Sequence, residues 1–229
     1  MPKNLIFNAD DFGFSVGVNE GIIDCHRRGV VTSTSLMVTG SAVDQALSLA
    51  LDHPDLAVGL HFDVWGEDER EFDLNDLAAV RAEFHRQLDF FQALTGTLPT
   101  HIDSHRHAHR RDGLMDVFRE LVEPLGVPLR DAGSVRFVGH FYAQWEWKVT
   151  NLEYISVSQL QRWLHEEVQE GWTEFSCHPG YATPDYSAVY YVEREEEIRT
   201  LTDPRIKQTL ADLEIDLVSY KDYSRRPRA

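Results

Sequence analysis

Residues 5–15 read LIFNADDFGFS. The apolar run Leu5-Ile6-Phe7 passes through Asn8-Ala9 into two adjacent carboxylates, Asp10 and Asp11, with Gly13 just beyond. One Asp at such a place reads as a helix cap. Two need a further reason, because Ser15 is the better-placed cap for the segment that follows. A neighbouring pair can divide two tasks: one carboxylate binds a metal, and the other stays free to take a proton from water. The stretch therefore reads as a strand whose C-terminal end carries chemistry, as strand ends do in parallel α/β folds.

The same design recurs along the chain. Strands are expected over 4–8, 33–38, 57–62, 101–104, 128–130, 174–177 and 216–219. Amphipathic helices are expected over 18–28, 42–51, 74–94, 114–125, 158–170 and roughly 193–213. The clearest is 74–94, where Leu74, Leu77, Val80, Phe84, Leu88, Phe91 and Leu94 recur at three- and four-residue spacing. Alternating strands and helices predict a parallel sheet with crossover helices. An irregular or incomplete (β/α) barrel suits seven strands better than its alternative, an open doubly wound sheet. Either one collects reactive residues at the C-terminal strand ends.

Polar residues cluster at those ends. VGLHFD closes the third strand with His61, and THIDSHRHAH closes the fourth with His101, Asp103, His105, His107 and His109. Arg130-Asp131 follows the fifth strand, and SCHPG places His178 after the sixth. Imidazole nitrogens with a carboxylate suit a divalent transition ion such as Zn²⁺. Pro179 holds His178 in extended geometry, which suits a positioned general acid. Arg130 is a candidate for pairing with a catalytic carboxylate or for binding substrate. Asp103 is a candidate for substrate contact or for orienting a histidine through its second nitrogen. His107 and His109 read equally well as part of a solvated turn. The aromatic stretch HFYAQWEW (140–147) fits sugar stacking, core packing or a subunit contact.

Composition narrows the class. The chain has 229 residues, 42% of them hydrophobic, and a formal net charge of −16. That length suits one domain, 1–229, with a sizeable core. The charge argues against a nucleic-acid partner. No apolar run approaches the roughly 20 residues of a membrane span. No secretory leader precedes the first strand, and Cys25 and Cys177 lie too far apart for a CxxC pair, so a cytoplasmic protein is expected.

The stretches NADDFGFSVGVNEGI, GVVTSTSLMVTG, VGLHFDV, PTHIDSHRHAH and SCHPG, in this order between residues 8 and 180, resemble the YdjC-like (ChbG) carbohydrate deacetylases. YVEREEEIRTL and the final SYKDY are also similar. The resemblance implies an irregular TIM-like barrel and metal-dependent removal of acetyl groups from N-acetylated sugars. It implies Asp11, His61 and His105 as ligands of one divalent ion, Mg²⁺ or Zn²⁺. It implies Asp10 as the catalytic base and His178 as an acid or transition-state stabiliser. Residues 63–99 hold a short acidic loop and one long helix where the family often carries a longer segment, a departure that bears on the chito-oligosaccharide substrate rather than on the chemistry. A related group, associated with hopanoid lipid synthesis, implies a glycolipid-like substrate. The expected partner is thus a small acetylated sugar or glycolipid-like molecule, with a homodimer left open. Two other classes compete: a metal-dependent phosphoesterase on a barrel, and a sugar-binding protein without activity. The acidic balance counts against the first, and the intact catalytic positions count against the second.

Overall fold

The computed structural model describes residues 2–65, 71–183 and 189–226. The chain opens with β1 (Lys3–Phe12) and α1 (Val16–Arg28), and continues through β2 (Ser33–Leu36), α2 (Val43–Asp52), β3 (Ala57–Phe62), α3 (Leu77–Thr95) and β4 (Ile102–Ser104). Next come α4 (Leu114–Val122), β5 (Val135–Val138), α5 (Val157–Glu167), β6 (Gly171–Cys177), α6 (Val192–Leu201), α7 (Pro204–Asp212), β7 (Ile215–Leu217) and α8 (Tyr220–Arg225). The main sheet runs β4-β3-β2-β1-β6-β5, and all its pairings are parallel. β7 pairs with the first residues of β1, Lys3 to Leu5. The sheet curls into an incomplete (β/α) barrel, as expected. Among the described residues no helix is long and apolar enough to cross a membrane.

Local chemistry sets the element ends. Ser15 caps α1 by accepting from the Val18 N–H, so neither Asp10 nor Asp11 is needed there. Asp76 caps α3, and Gly96 closes it in the left-handed conformation at φ 71°. The helix expected over 193–213 is two helices, α6 and α7. Pro204 stands at the start of α7, where its missing N–H costs nothing, behind the Asp203 cap.

The expected strand at 128–130 is reduced to a single bridge, Leu129 with Ile102. Pro128 cannot donate to a ladder, and Asp131 turns the chain away at φ 56°. The strand that follows, β5, has no counterpart in the sequence reading. It is short and lies between Gly133-Ser134 and Gly139, which read as a loop.

β1 is the axis of the design, buried along nearly its whole length. Leu5, Phe7 and Ala9 pack into the large core shared with the helices. Ile6 points the other way and joins Ala57, Val135, Tyr220 and Tyr223 in a small apolar cluster. On that same inner face the next positions toward the C-terminal end are Asn8 and Asp10. The half-barrel is therefore apolar at one end and polar at the other.

His101 belongs to the framework. Its ring is fully buried and stacks on Tyr220, with centroids 3.9 Å apart and planes 12° apart. A Cβ on Gly59 would lie 2.4 Å from that ring, so only Gly fits there. Burial is the main cause that pushes the His101 pKa down to about 4. The unfolded chain takes up this proton below about pH 6.5, while the native state resists until about pH 4. Stability from this group is therefore complete above pH 6.5 and falls by about 3 kcal/mol between there and pH 4. His101→Phe, which keeps the stacked ring, should flatten the acid side of stability by roughly one proton in urea denaturation at stepped pH.

Candidate metal and catalytic site

A regular strand points neighbouring side chains to opposite faces. Asp10 and Asp11 escape that rule. β1 takes three steps from Ala9 to Phe12 while β2 takes two, from Thr34 to Leu36, so β1 carries a bulge. Asp11 sits in it at φ 70°, a left-handed conformation that Asp tolerates better than most residues. Both carboxylates turn toward one cavity of about 1070 Å³, and both are 2% exposed.

Asp11 meets the two expected histidines. Its Oδ1 lies 3.3 Å from His61 Nε2 and 3.2 Å from His105 Nδ1. One ligand atom from each of the three residues falls within 4.8 Å of the others. Ligands about 2.1 Å from a shared ion are separated by about this much, so the donor set fits a metal. His61 is oriented from behind: its Nδ1 lies 2.6 Å from Asp103 Oδ1, which leaves Nε2 to face Asp11. Burial alone would lower the His61 pKa, but Asp103, Asp11 and Asp10 hold it well above the usual value. The cluster thus draws a positive charge to itself. Asp10, His61 and Asp103 also lie close together, but Arg130 already neutralises both of those carboxylates.

Asp10 is held differently. Arg130 donates from Nη1 to Oδ2 and from Nη2 to Oδ1, both at 2.7 Å. Asn8 adds a bond to Oδ1 at 2.9 Å. Burial would raise the Asp10 pKa, yet Arg130 brings it below the ordinary value, so the group is ionised at neutral pH. Oδ2 is the oxygen that faces His178, whose Nε2 is 3.8 Å away. Burial lowers the His178 pKa to about 4, and its imidazole is neutral at rest.

Arg130 and Asp103 are not on the cavity wall. Arg130 is 1% exposed and also reaches Asp103 Oδ2 at 2.8 Å and, through Nε, Glu174 Oε1 at 2.8 Å. Of the two roles read for it, the structure shows carboxylate pairing. Asp103 is fully buried and orients His61, the second of the roles read for it. His109 is buried with Nδ1 on Ser104 Oγ, beside Phe118. His107 stays on the cavity wall, thrown there by a turn in which Arg106 and His107 have φ of 49° and 51°.

The sequence reading missed Arg194 and Glu197. Arg194 donates from Nη2 to Asp11 Oδ2 at 2.6 Å and from Nη1 to the His178 carbonyl at 3.1 Å. Glu197, fully buried, accepts from the His178 backbone N–H and the Tyr190 hydroxyl. Their segment, EREEEIRTL, reads as a solvated charged helix. The available signal was spacing: 194 and 197 share a face with Ile198 and Leu201, which are buried.

Three comparisons place the chain among known proteins. The family model for YdjC-like proteins matches residues 4–212. A carbohydrate deacetylase of Geobacillus stearothermophilus is 34% identical over 253 aligned positions, covering 97% of this chain and 99% of its own. One from Vibrio cholerae is 33% identical, with 94% of each chain covered. A crystal structure from Enterococcus faecalis, of a protein provisionally assigned to cellobiose-phosphate cleavage, superposes with TM-score 0.84 at 26% identity over 97% of this chain and 99% of that one. A family 4 carbohydrate esterase from Streptomyces lividans shares the fold, with TM-score 0.58, 14% identity and 93% and 91% coverage.

Removing Arg130 leaves buried carboxylates without their cation. Arg130→Met should therefore cost about 3–5 kcal/mol of stability in urea denaturation, the usual loss when one partner of a buried ion pair is removed.

Proposed function

Because the chain belongs to the YdjC-like protein family, we propose that it is a metal-dependent carbohydrate deacetylase acting on N-acetylated sugars, with residues 1–229 as one catalytic domain. One observation carries the reading. Three ligand atoms of Asp11, His61 and His105 converge, while the adjacent Asp10 is ionised and engaged by a separate arginine. The relatives named carbohydrate deacetylase support the same chemistry.

Asp11, His61 and His105 would hold the ion. Two imidazole nitrogens and a carboxylate oxygen favour Zn²⁺ over Mg²⁺, which prefers oxygen ligands. When bound, such an ion lowers the pKa of water and polarises the acetyl carbonyl. The chain's own groups do the rest. Asp10 Oδ2 accepts the proton of the attacking water, and Arg130 fixes that oxygen in place. His178 is neutral at rest, so it cannot bring the leaving-group proton with it. The proton that Asp10 takes from water is the one that reaches the sugar amine. His178 Nε2, adjacent to Asp10 Oδ2, relays it or donates a hydrogen bond to the developing charge. Tyr142 and Tyr190 stack on each other at 4.6 Å and line the cavity beside His178.

Asp11→Asn should lose metal and acetate release together. Asp10→Asn should keep most of its metal while turnover falls by about 10²-fold or more. Metal content by mass spectrometry, alongside acetate release from N-acetylglucosamine oligomers, checks both; equal metal loss in the two variants would mean that the roles are wrongly divided.

His178→Ala should lower turnover across the whole pH range and leave the alkaline limb of the pH–rate profile where it is, since the wild-type imidazole is already neutral above about pH 4. An alkaline limb that disappears in the variant would show that His178 enters the reaction protonated.

A further inference from the structure

The cavity extends well beyond the carboxylates and histidines. Its volume, about 1070 Å³, lies at the upper end for small-molecule sites and exceeds what one hexosamine ring fills. One segment after β5 supplies much of the lining. Gly139, His140, Tyr142 and Gln144 line the wall, and Trp145 and Trp147 line it further on. The Tyr142 ring is 5.4 Å from the His178 ring, so this segment begins at the reacting centre.

Trp145 is held in place and yet left uncovered. Its ring stacks on Tyr154, with centroids 4.3 Å apart and planes 18° apart, and Trp163 lies nearly parallel at 6.3 Å. Its indole N–H donates to the His140 carbonyl at 3.3 Å. Despite these anchors Trp145 is 56% exposed, and Trp147 is 66% exposed. Fixing an indole while leaving more than half of the residue's surface in water is unfavourable for the chain alone. It makes sense as a prepared surface, because a rigid aromatic ring offers contact area at little entropic cost.

We propose that Trp145 is the stacking platform of a second sugar subsite, which receives the neighbouring pyranose ring of an N-acetylated oligosaccharide. This rests on the deacetylase reading. The acetamido group must reach Asp10 and His178, so its ring occupies the Tyr142–Tyr190 end of the cavity, and the next ring extends along the wall toward Trp145. The apolar C–H face of a pyranose matches an indole face, and its hydroxyl rim suits the water-exposed surroundings. A second copy of the chain is a poorer occupant, because each copy carries a formal charge of −16 and like charges repel.

The test compares Zn²⁺-loaded wild type, Trp145→Ala and Trp145→Phe on N-acetylglucosamine and its β-1,4-linked dimer. Wild type should favour the dimer in kcat/KM. In Trp145→Ala that preference should fall about tenfold, mainly through KM, equivalent to about 1.4 kcal/mol. Trp145→Phe should lie between the two. An unchanged preference in Trp145→Ala overturns the subsite, as does a shift of oligomeric state in sedimentation without a change in preference. Wild type that releases acetate from neither sugar overturns the deacetylase reading instead. Calorimetric titration with the dimer then decides the subsite separately: binding that weakens in Trp145→Ala supports it, and binding that is absent or unaffected overturns it.

Discussion

Two carboxylates adjacent in sequence and turned into one buried cavity repel each other. For two unit charges about 4 Å apart near a protein surface, repulsion is of the order of 4 kcal/mol even with substantial local screening. The rest of the site follows from how the chain relieves it. Each aspartate has its own arginine, and the two arginines come from different parts of the chain. Arg130, buried within the half-barrel, reaches Asp10. Arg194 of α6, on the cavity wall, reaches Asp11. Asp10 is left as a fixed, ionised acceptor. Asp11 has one oxygen on a guanidinium and the other facing two imidazoles. Nearly identical neighbours thus acquire different chemistry from their surroundings alone.

The interior of the half-barrel is organised in levels. Ile6, Ala57 and Tyr220 form an apolar base. Above it Glu174, Asp103 and Arg130 form a buried charged layer, and burial raises the Glu174 pKa in spite of Arg130 beside it. Above that layer come Asp10, His61 and His178 at the open end. β1 sets the order, since its inward side chains run Ile6, Asn8 and Asp10 toward the open end.

Much of this was legible in the sequence. Parallel strands all present their C-terminal ends to one rim, so carboxylates and histidines after apolar runs could be assigned to a shared site before any contact was known. Period 3.6 marked α3, whereas 193–213 read as one helix because its charged and apolar pattern runs on past Pro204, where the chain in fact starts a new helix. The bulge was not legible, since no residue type between Ala9 and Phe12 demands it. β5 was too short and too closely flanked by loop residues to read as a strand. Arg130 stood out as a charge at a strand end, but its burial depends on three acids from three other strands. Arg194 meets Asp11 across 183 positions of sequence. Contacts of that span leave no local pattern, and a charged helix face looks the same whether it meets water or a buried carboxylate.

The Tyr220 hydroxyl donates to Glu174 Oε2 at 2.6 Å, and Glu174 in turn holds Arg130, which holds Asp10. The Tyr220 backbone N–H also reaches Ser33 Oγ, and its ring carries His101. A residue near the end of the described chain therefore completes the support of an acid near its beginning. During synthesis Asp10 emerges early, Arg130 midway and Tyr220 late. Until Tyr220 leaves the ribosome, the charged layer lacks its floor. The site is thus completed only after Tyr220 has followed, and a nascent chain already displaying Asp10 and Asp11 has yet to acquire the environment that makes them different.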